Sequence, residues 1–197
     1  MKELLIASGN AGKLSEFMQC LTPLGWKPIG QASLGIGDAE ETGLSFVENA
    51  LIKARHAARL SGRPALADDS GLLVDALGGA PGLHTARYAG VGANAAQNIQ
   101  KLLNALKDVP ADKRQARFVA VIVVLSSPDD PCPLIAQGEW RGEILSSPRG
   151  AAGFGYDPIF FDPQHAMSAA EMPAEIKNQI SHRGQALKLL ADRLRAF

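Results

Sequence analysis

The run "ARFVAVIVVLSS", residues 116–127, constrains this chain more than any other stretch. Its valines and isoleucine run almost unbroken, so a strand built from it must be covered on both faces, as at the centre of a sheet flanked by helices. Helical spacing elsewhere supplies the cover. Leu14, Phe17, Met18 and Leu21 fall on one helix face that ends near Pro23 and Gly25. Ser45 and Glu48 form an S-x-x-E start for a second helix reaching about Ser61, before Gly62 and Pro64. Asn94 with Gln97 opens a third, with Ile99, Leu102, Leu103 and Leu106 as its apolar stripe. "SHRGQALKLLADRLRAF" closes the chain as an amphipathic helix capped by Ser181.

Residues 4–7 read as a buried strand, and "PALADDSGLLVDAL" as a short strand broken by an acidic turn. "LIAQGEW" and "RGEIL" read as successive antiparallel strands, and "GFGYDPIFF" as a strand entered through a special backbone. This mixture predicts an α/β fold. With 197 residues and 46% hydrophobic content, one sizeable core and a single domain over residues 1–197 are expected.

Twenty basic and twenty acidic side chains cancel, so nothing global draws the chain to nucleic acid or a membrane, and any polyanion must be met locally. "LLIA" is far shorter than a signal-peptide core and is followed by Ser8, Gly9 and Asn10, which makes a cytoplasmic location the expectation. Cys20 and Cys132 lack metal-ligand spacing and read as reduced residues without function.

Local polyanion binding has one obvious candidate. "SGNAGK", residues 8–13, leads from a strand into a helix and resembles a P-loop, but only Asn10 and Ala11 separate Gly9 from Gly12, and Leu14 stands where a magnesium-binding hydroxyl would follow the lysine. A helix start with free N–H groups, together with Lys13, still suits a phosphate; a plain strand-to-helix turn with a solvated lysine is the alternative. If a divalent metal accompanies that phosphate, carboxylates elsewhere must hold it. Two acidic pairs are available, Glu40 with Glu41 in "DAEETG" and Asp68 with Asp69 in "LADDSG", unless they are solvated or capping groups. In "GFGYDP", Gly153 and Gly155 flank Phe154, whose ring offers a stacking face, and Tyr156 and Asp157 add hydrogen-bonding groups; a glycine bulge before a core strand is the other reading. Lys177, His182 and Arg183 cluster near helix starts.

Taken together, "SGNAGK", "EETG" before "FVENA", "ADDSGL", "GAPG" before "ARYAG", "GFGYDPIF" and "ISHRGQAL" resemble the signatures of the inosine/xanthosine triphosphate pyrophosphatases, in order from the first strand to the last helix. The resemblance implies an elongated α/β domain with a long mixed sheet, two lobes around a substrate cleft, and a homodimer. It also implies magnesium-dependent hydrolysis of ITP, dITP or XTP to the monophosphate and pyrophosphate. By position, Ser8, Gly9, Asn10, Ala11, Gly12 and Lys13 would hold the triphosphate, and Asp69 would act at the metal and as proton acceptor. A carboxylate bound to magnesium is a poorer proton acceptor, so Asp68 and Asp69 are expected to divide the labour, or Asp69 to act through a metal-bound water. Glu40 or Glu41 would complete the metal site. Ser70 would touch substrate, Phe154, Gly155, Tyr156 and Asp157 would line the base and sugar pocket, and Lys177, His182 and Arg183 would read the base. A Maf-type nucleotide pyrophosphatase and a nucleotide-sensing module without turnover are the rival readings.

Overall fold

The computed structural model describes residues 2–194, and for Ala11 the backbone alone. Seven strands form one mixed sheet in the order β2-β1-β3-β4-β5-β6-β7, with β1 at Lys2–Ile6, β2 at Trp26–Gly30, β3 at Ala65–Val74, β4 at Gln115–Leu125, β5 at Leu134–Ile144, β6 at Phe160–Asp162 and β7 at Met167–Ser168. β1 runs parallel to β2 and β3, whereas β6 runs antiparallel to β5 and β7. The helices are α1 (Ala11–Leu21), α2 (Phe46–Ser61), α3 (Ala95–Ala105), α4 (Ala174–Ile180) and α5 (His182–Leu194). The α/β expectation holds, and β4 is the middle strand, buried at every position from Phe118 to Leu125.

The chain gathers into two compact units. The first comprises the segment ending at Asp69, Ala120–Gly138, and the segment from Gln185 onward. Its core joins Leu4, Ile6, Phe17, Leu66, Ile122 and Leu190, so the apolar faces of β1, β3, β4, α1 and α5 meet in one cluster. The second comprises Ser70–Val119 and Glu139–Gly184, with its own core of Leu72, Leu102, Leu106, Phe118, Trp140, Tyr156 and Phe160. Each fully buried Leu, Ile or Phe contributes about 1.5–3 kcal/mol relative to exposure, which is what anchors the polar turns at the strand ends.

Two strand expectations need correction. β3 is continuous over ten residues, so Asp68 and Asp69 lie within a strand and not in an acidic turn. β5 is likewise one strand of eleven residues, where "LIAQGEW" and "RGEIL" were expected to be two. Gly142 serves the approach of the next strand: a Cβ on it would collide with Phe161 O and with the Phe160 ring, 2.7 Å away.

Candidate active site

In the first unit, β1 delivers the chain to a turn whose polar groups bind one another. The Asn10 side chain caps α1, accepting from the N–H groups of Gly12 (2.9 Å) and Lys13 (3.1 Å), while the Asn10 N–H donates to Ser8 Oγ at 3.2 Å. The expectation of free donors is therefore revised for Gly12 and Lys13, whose N–H groups are already engaged. What this turn presents to an anion is the positive end of α1 and the Lys13 ammonium.

That ammonium lies 2.9 Å from Asp68 Oδ2, on a side chain that is only 1% exposed. Successive residues of a strand project to opposite faces, so Asp69 points elsewhere. It meets Lys53 instead, with Oδ1 3.0 Å from Nζ, and the same Nζ lies 2.9 Å from Glu41 Oε1.

Local sequence explains how Glu41 and Lys53 come together. The Ser45 hydroxyl accepts from Glu48 N–H, and the Glu48 carboxylate accepts from Leu44 N–H, which starts α2 in a fixed direction. Asn49 and Lys53 then share a face one turn apart. Buried Asn49 accepts from Gly43 N–H at 2.8 Å and hydrogen-bonds to Asp69. A Cβ on Gly43 would sit 2.6 Å from Glu48 Cβ, so only glycine lets "EETG" lie against the helix and hold Glu41 at Lys53.

Charge follows from this packing. Burial raises the pKa of Asp69, and the nearby Glu41 charge raises it further, against the opposing pull of Lys53. Burial acts to lower Lys53, but Asp69 and Glu41 outweigh it and hold its pKa above the ordinary value. Two carboxylates that already share a cation at about 3 Å are a donor set suited to magnesium, which takes hard oxygen ligands and few of them from protein. No cluster of three His, Cys, Asp or Glu side chains suited to a metal occurs among the described residues, so substrate oxygens and water would complete such a site. Glu40 is exposed.

The second unit carries the aromatic and basic residues. Gly153 and Gly155 both have left-handed backbone, at φ 78° and 61°, and leave Phe154 62% exposed between them. Buried Asp157 fixes this loop: its Oδ2 accepts from Phe154 N–H (2.7 Å) and from the Lys177 ammonium (2.6 Å). Lys177 Nζ and Arg183 Cζ lie 5.4 and 5.8 Å from the Phe154 ring centroid, within cation–π range. Arg183 is buried and its Nη2 donates to Ser70 Oγ at 3.4 Å. His182, the first residue of α5, stacks on Phe118.

Tyr156 differs from its companions. It is buried, its hydroxyl donates to Thr85 O at 3.0 Å, and burial raises its pKa far above the usual range. It braces the loop from beneath. Sequence reading missed Lys53 and Asn49, although the spacing of Asn49 and Lys53 in "FVENALIKA" is the helical signal that pairs them.

Residues 4–193 match the Ham1 family. This chain belongs to the Ham1 family. Among curated Ham1 relatives, the dITP/XTP pyrophosphatase of Xylella fastidiosa (strain 9a5c) is 59% identical and that of Xanthomonas campestris pv. campestris (strain 8004) 58% identical; each alignment covers all of this chain and 99% of the relative. A solved Ham1 structure from Coxiella burnetii superposes with a TM-score of 0.96 at 51% identity, covering both chains completely. Among the described residues of this Ham1 chain, no helix is long and apolar enough to cross a membrane.

Proposed function

We propose that this chain hydrolyses non-standard purine nucleoside triphosphates, namely ITP, dITP and XTP, to the monophosphate and pyrophosphate. The observation that carries the reading is the meeting of Glu41 and Asp69, twenty-eight positions apart, at a single cation 2.9 and 3.0 Å away. Simple anion binding gains nothing from clustered carboxylates, whereas metal-assisted phosphate chemistry requires them. The relatives named dITP/XTP pyrophosphatase support the same reading.

In this reading Asp69 would hold Mg2+ together with Glu41 or Glu40, of which Glu41 is the one that meets Lys53. When bound there, such an ion would supply charge neutralisation at the phosphate oxygens. Lys13, held by Asp68, and the start of α1 stabilise charge on the transferring and leaving phosphates, with Ser8, Gly9, Asn10, Ala11 and Gly12 shaping the turn around them. Asp68 and Asp69 would share the task of accepting the attacking water's proton, because a carboxylate that also holds the ion is a poorer proton acceptor. Water attacks the α-phosphorus and pyrophosphate departs.

Phe154 stacks on the base, and Lys177, His182 and Arg183 donate toward the purine. Inosine and xanthine carry an oxygen at position 6 where adenine carries an amino group. Donors fixed in place therefore pair with the first two and confront a donor on the third. Ser70 and Asp157 hold Arg183 and Lys177 at their posts, and Gly155 and Tyr156 shape the loop. The proposal includes a homodimer acting on the cytoplasmic nucleotide pool. A substrate panel with magnesium tests it: ITP, dITP and XTP turn over with pyrophosphate released, and ATP lags by orders of magnitude. Preference for another nucleotide class would favour a Maf-type enzyme, and binding without turnover a sensor.

A further inference from the structure

Arg183 and Lys177 are tethered by polar partners, Ser70 and Asp157. His182 makes an aromatic contact. Its imidazole lies nearly parallel to the Phe118 ring, with centroids 4.8 Å apart and planes 13° from coincidence. Phe118 is 7% exposed, too deep to meet a substrate itself. It rests in turn on Phe160 (4.7 Å, 51°) and on Trp140 (6.5 Å, 29°), and Phe160 and Trp140 also touch each other at 4.9 Å. The Trp140 indole N–H donates to buried Asp162 at 2.9 Å, and Asp162 also accepts from the Gln164 and His165 N–H groups. The imidazole is thus the outermost ring of an aromatic column whose base is pinned by hydrogen bonds.

We propose that Phe118 is a positioning residue for base recognition: by stacking on His182 it fixes the plane of the imidazole, so that the ring meets the purine in one orientation. This rests on the reading of His182 as a base-contacting group. An imidazole stacked face-on against a fixed ring loses rotation about its second side-chain torsion, which otherwise is broad. A hydrogen bond discriminates between oxygen and amino partners only when its donor cannot turn aside, so rigidity here becomes selectivity. Aromatic contact geometry contributes to that rigidity.

The test compares Phe118→Leu with Phe118→Tyr, which keeps the ring. In Phe118→Leu, KM for ITP rises and the ITP-to-ATP ratio of kcat/KM falls by about 3- to 10-fold, the worth of one neutral hydrogen bond, while kcat changes little. Phe118→Tyr recovers most of the lost ratio. A folded Phe118→Leu with wild-type discrimination overturns the proposal. The wild-type protein gives a second readout that needs no variant. The His182 ring protons, assigned by loss of their signals in His182→Ala, resonate upfield of the other histidines and move when IMP is added. Signals at ordinary positions that ignore IMP overturn it even if Phe118→Leu fails to fold. A wild-type enzyme that binds IMP in this way but leaves ITP intact defeats the catalytic reading and not the stack.

Discussion

Asp68 and Asp69 are neighbours in one strand, yet each gives its carboxylate to a different lysine, Asp68 to Lys13 at 2.9 Å and Asp69 to Lys53 at 3.0 Å. The pleat separates them, and the separation divides their duties. In the proposed site Asp69, with Glu41, would be the ligand side of the pair, while Asp68 pairs with Lys13.

Asp69→Asn therefore loses magnesium affinity and turnover together, the affinity by more than about 10-fold, a cost seen even for groups that only support a metal site. Asp68→Asn keeps the wild-type magnesium affinity and loses kcat. Its loss stays below that of Lys13→Ala, for which removal of a transition-state charge partner costs about 10²–10³-fold. Calorimetric titration with MgCl2 alone and steady-state kinetics with ITP separate the two; equal effects on affinity would refute the division.

Lys53→Met leaves Glu41 and Asp69 facing each other without a cation. Removing one member of a buried ion pair costs about 3–5 kcal/mol, and a somewhat smaller loss is expected here because Lys53 is 14% exposed. Magnesium should restore more of the melting temperature in Lys53→Met than it adds to wild type, since it replaces the missing charge and binds only the folded state. Differential scanning calorimetry with and without magnesium decides; an unchanged Tm in metal-free buffer would count against this charge balance.

Gly153 combines φ 78° with a backbone so close to Asp157 that a side chain would strike the carboxylate. Gly153→Ala pays at least the left-handed cost of about 1–2 kcal/mol, or roughly 2–8 °C in Tm for a chain of this length. Displacement of Asp157 also loosens Lys177, so KM for ITP rises more than kcat falls. Tm and KM measured on the same preparation test both halves.

Stability toward acid should depend on Asp162. Burial alone would raise its pKa, but the Trp140 indole and the His165 and Gln164 N–H groups outweigh that and hold it below the model-peptide value of 3.8. A depressed carboxylate contributes stability above the unfolded pKa and loses it as pH falls through the folded one. Wild type should therefore lose stability faster than Asp162→Asn as pH drops below about 4, and the curves should run parallel above about 5, in urea titrations across that range.

Much of this was legible because periodic apolar patterns report burial directly. The unbroken run in β4, the capping pairs Ser45 with Glu48 and Asn94 with Gln97, and Ser181 before α5 all appear where their chemistry requires. Tertiary partners were the blind spot. Asp68 and Asp69 looked like a turn because two adjacent carboxylates are costly inside a sheet, and lysines from two separate helices help make the strand tolerable. The close approach of β6 to Gly142 is likewise invisible in the sequence. Lys53 escaped notice because its partners stand 12 and 16 residues away on different elements.

The most direct test of the whole account is the fate of solvent oxygen when the wild-type enzyme hydrolyses ITP with magnesium in heavy-oxygen water. The account predicts label in IMP, an equivalent amount of unlabelled pyrophosphate, and no orthophosphate. Label in pyrophosphate, or release of orthophosphate in place of it, would contradict attack at the α-phosphorus and the arrangement of Lys13, Glu41 and Asp69 built around it.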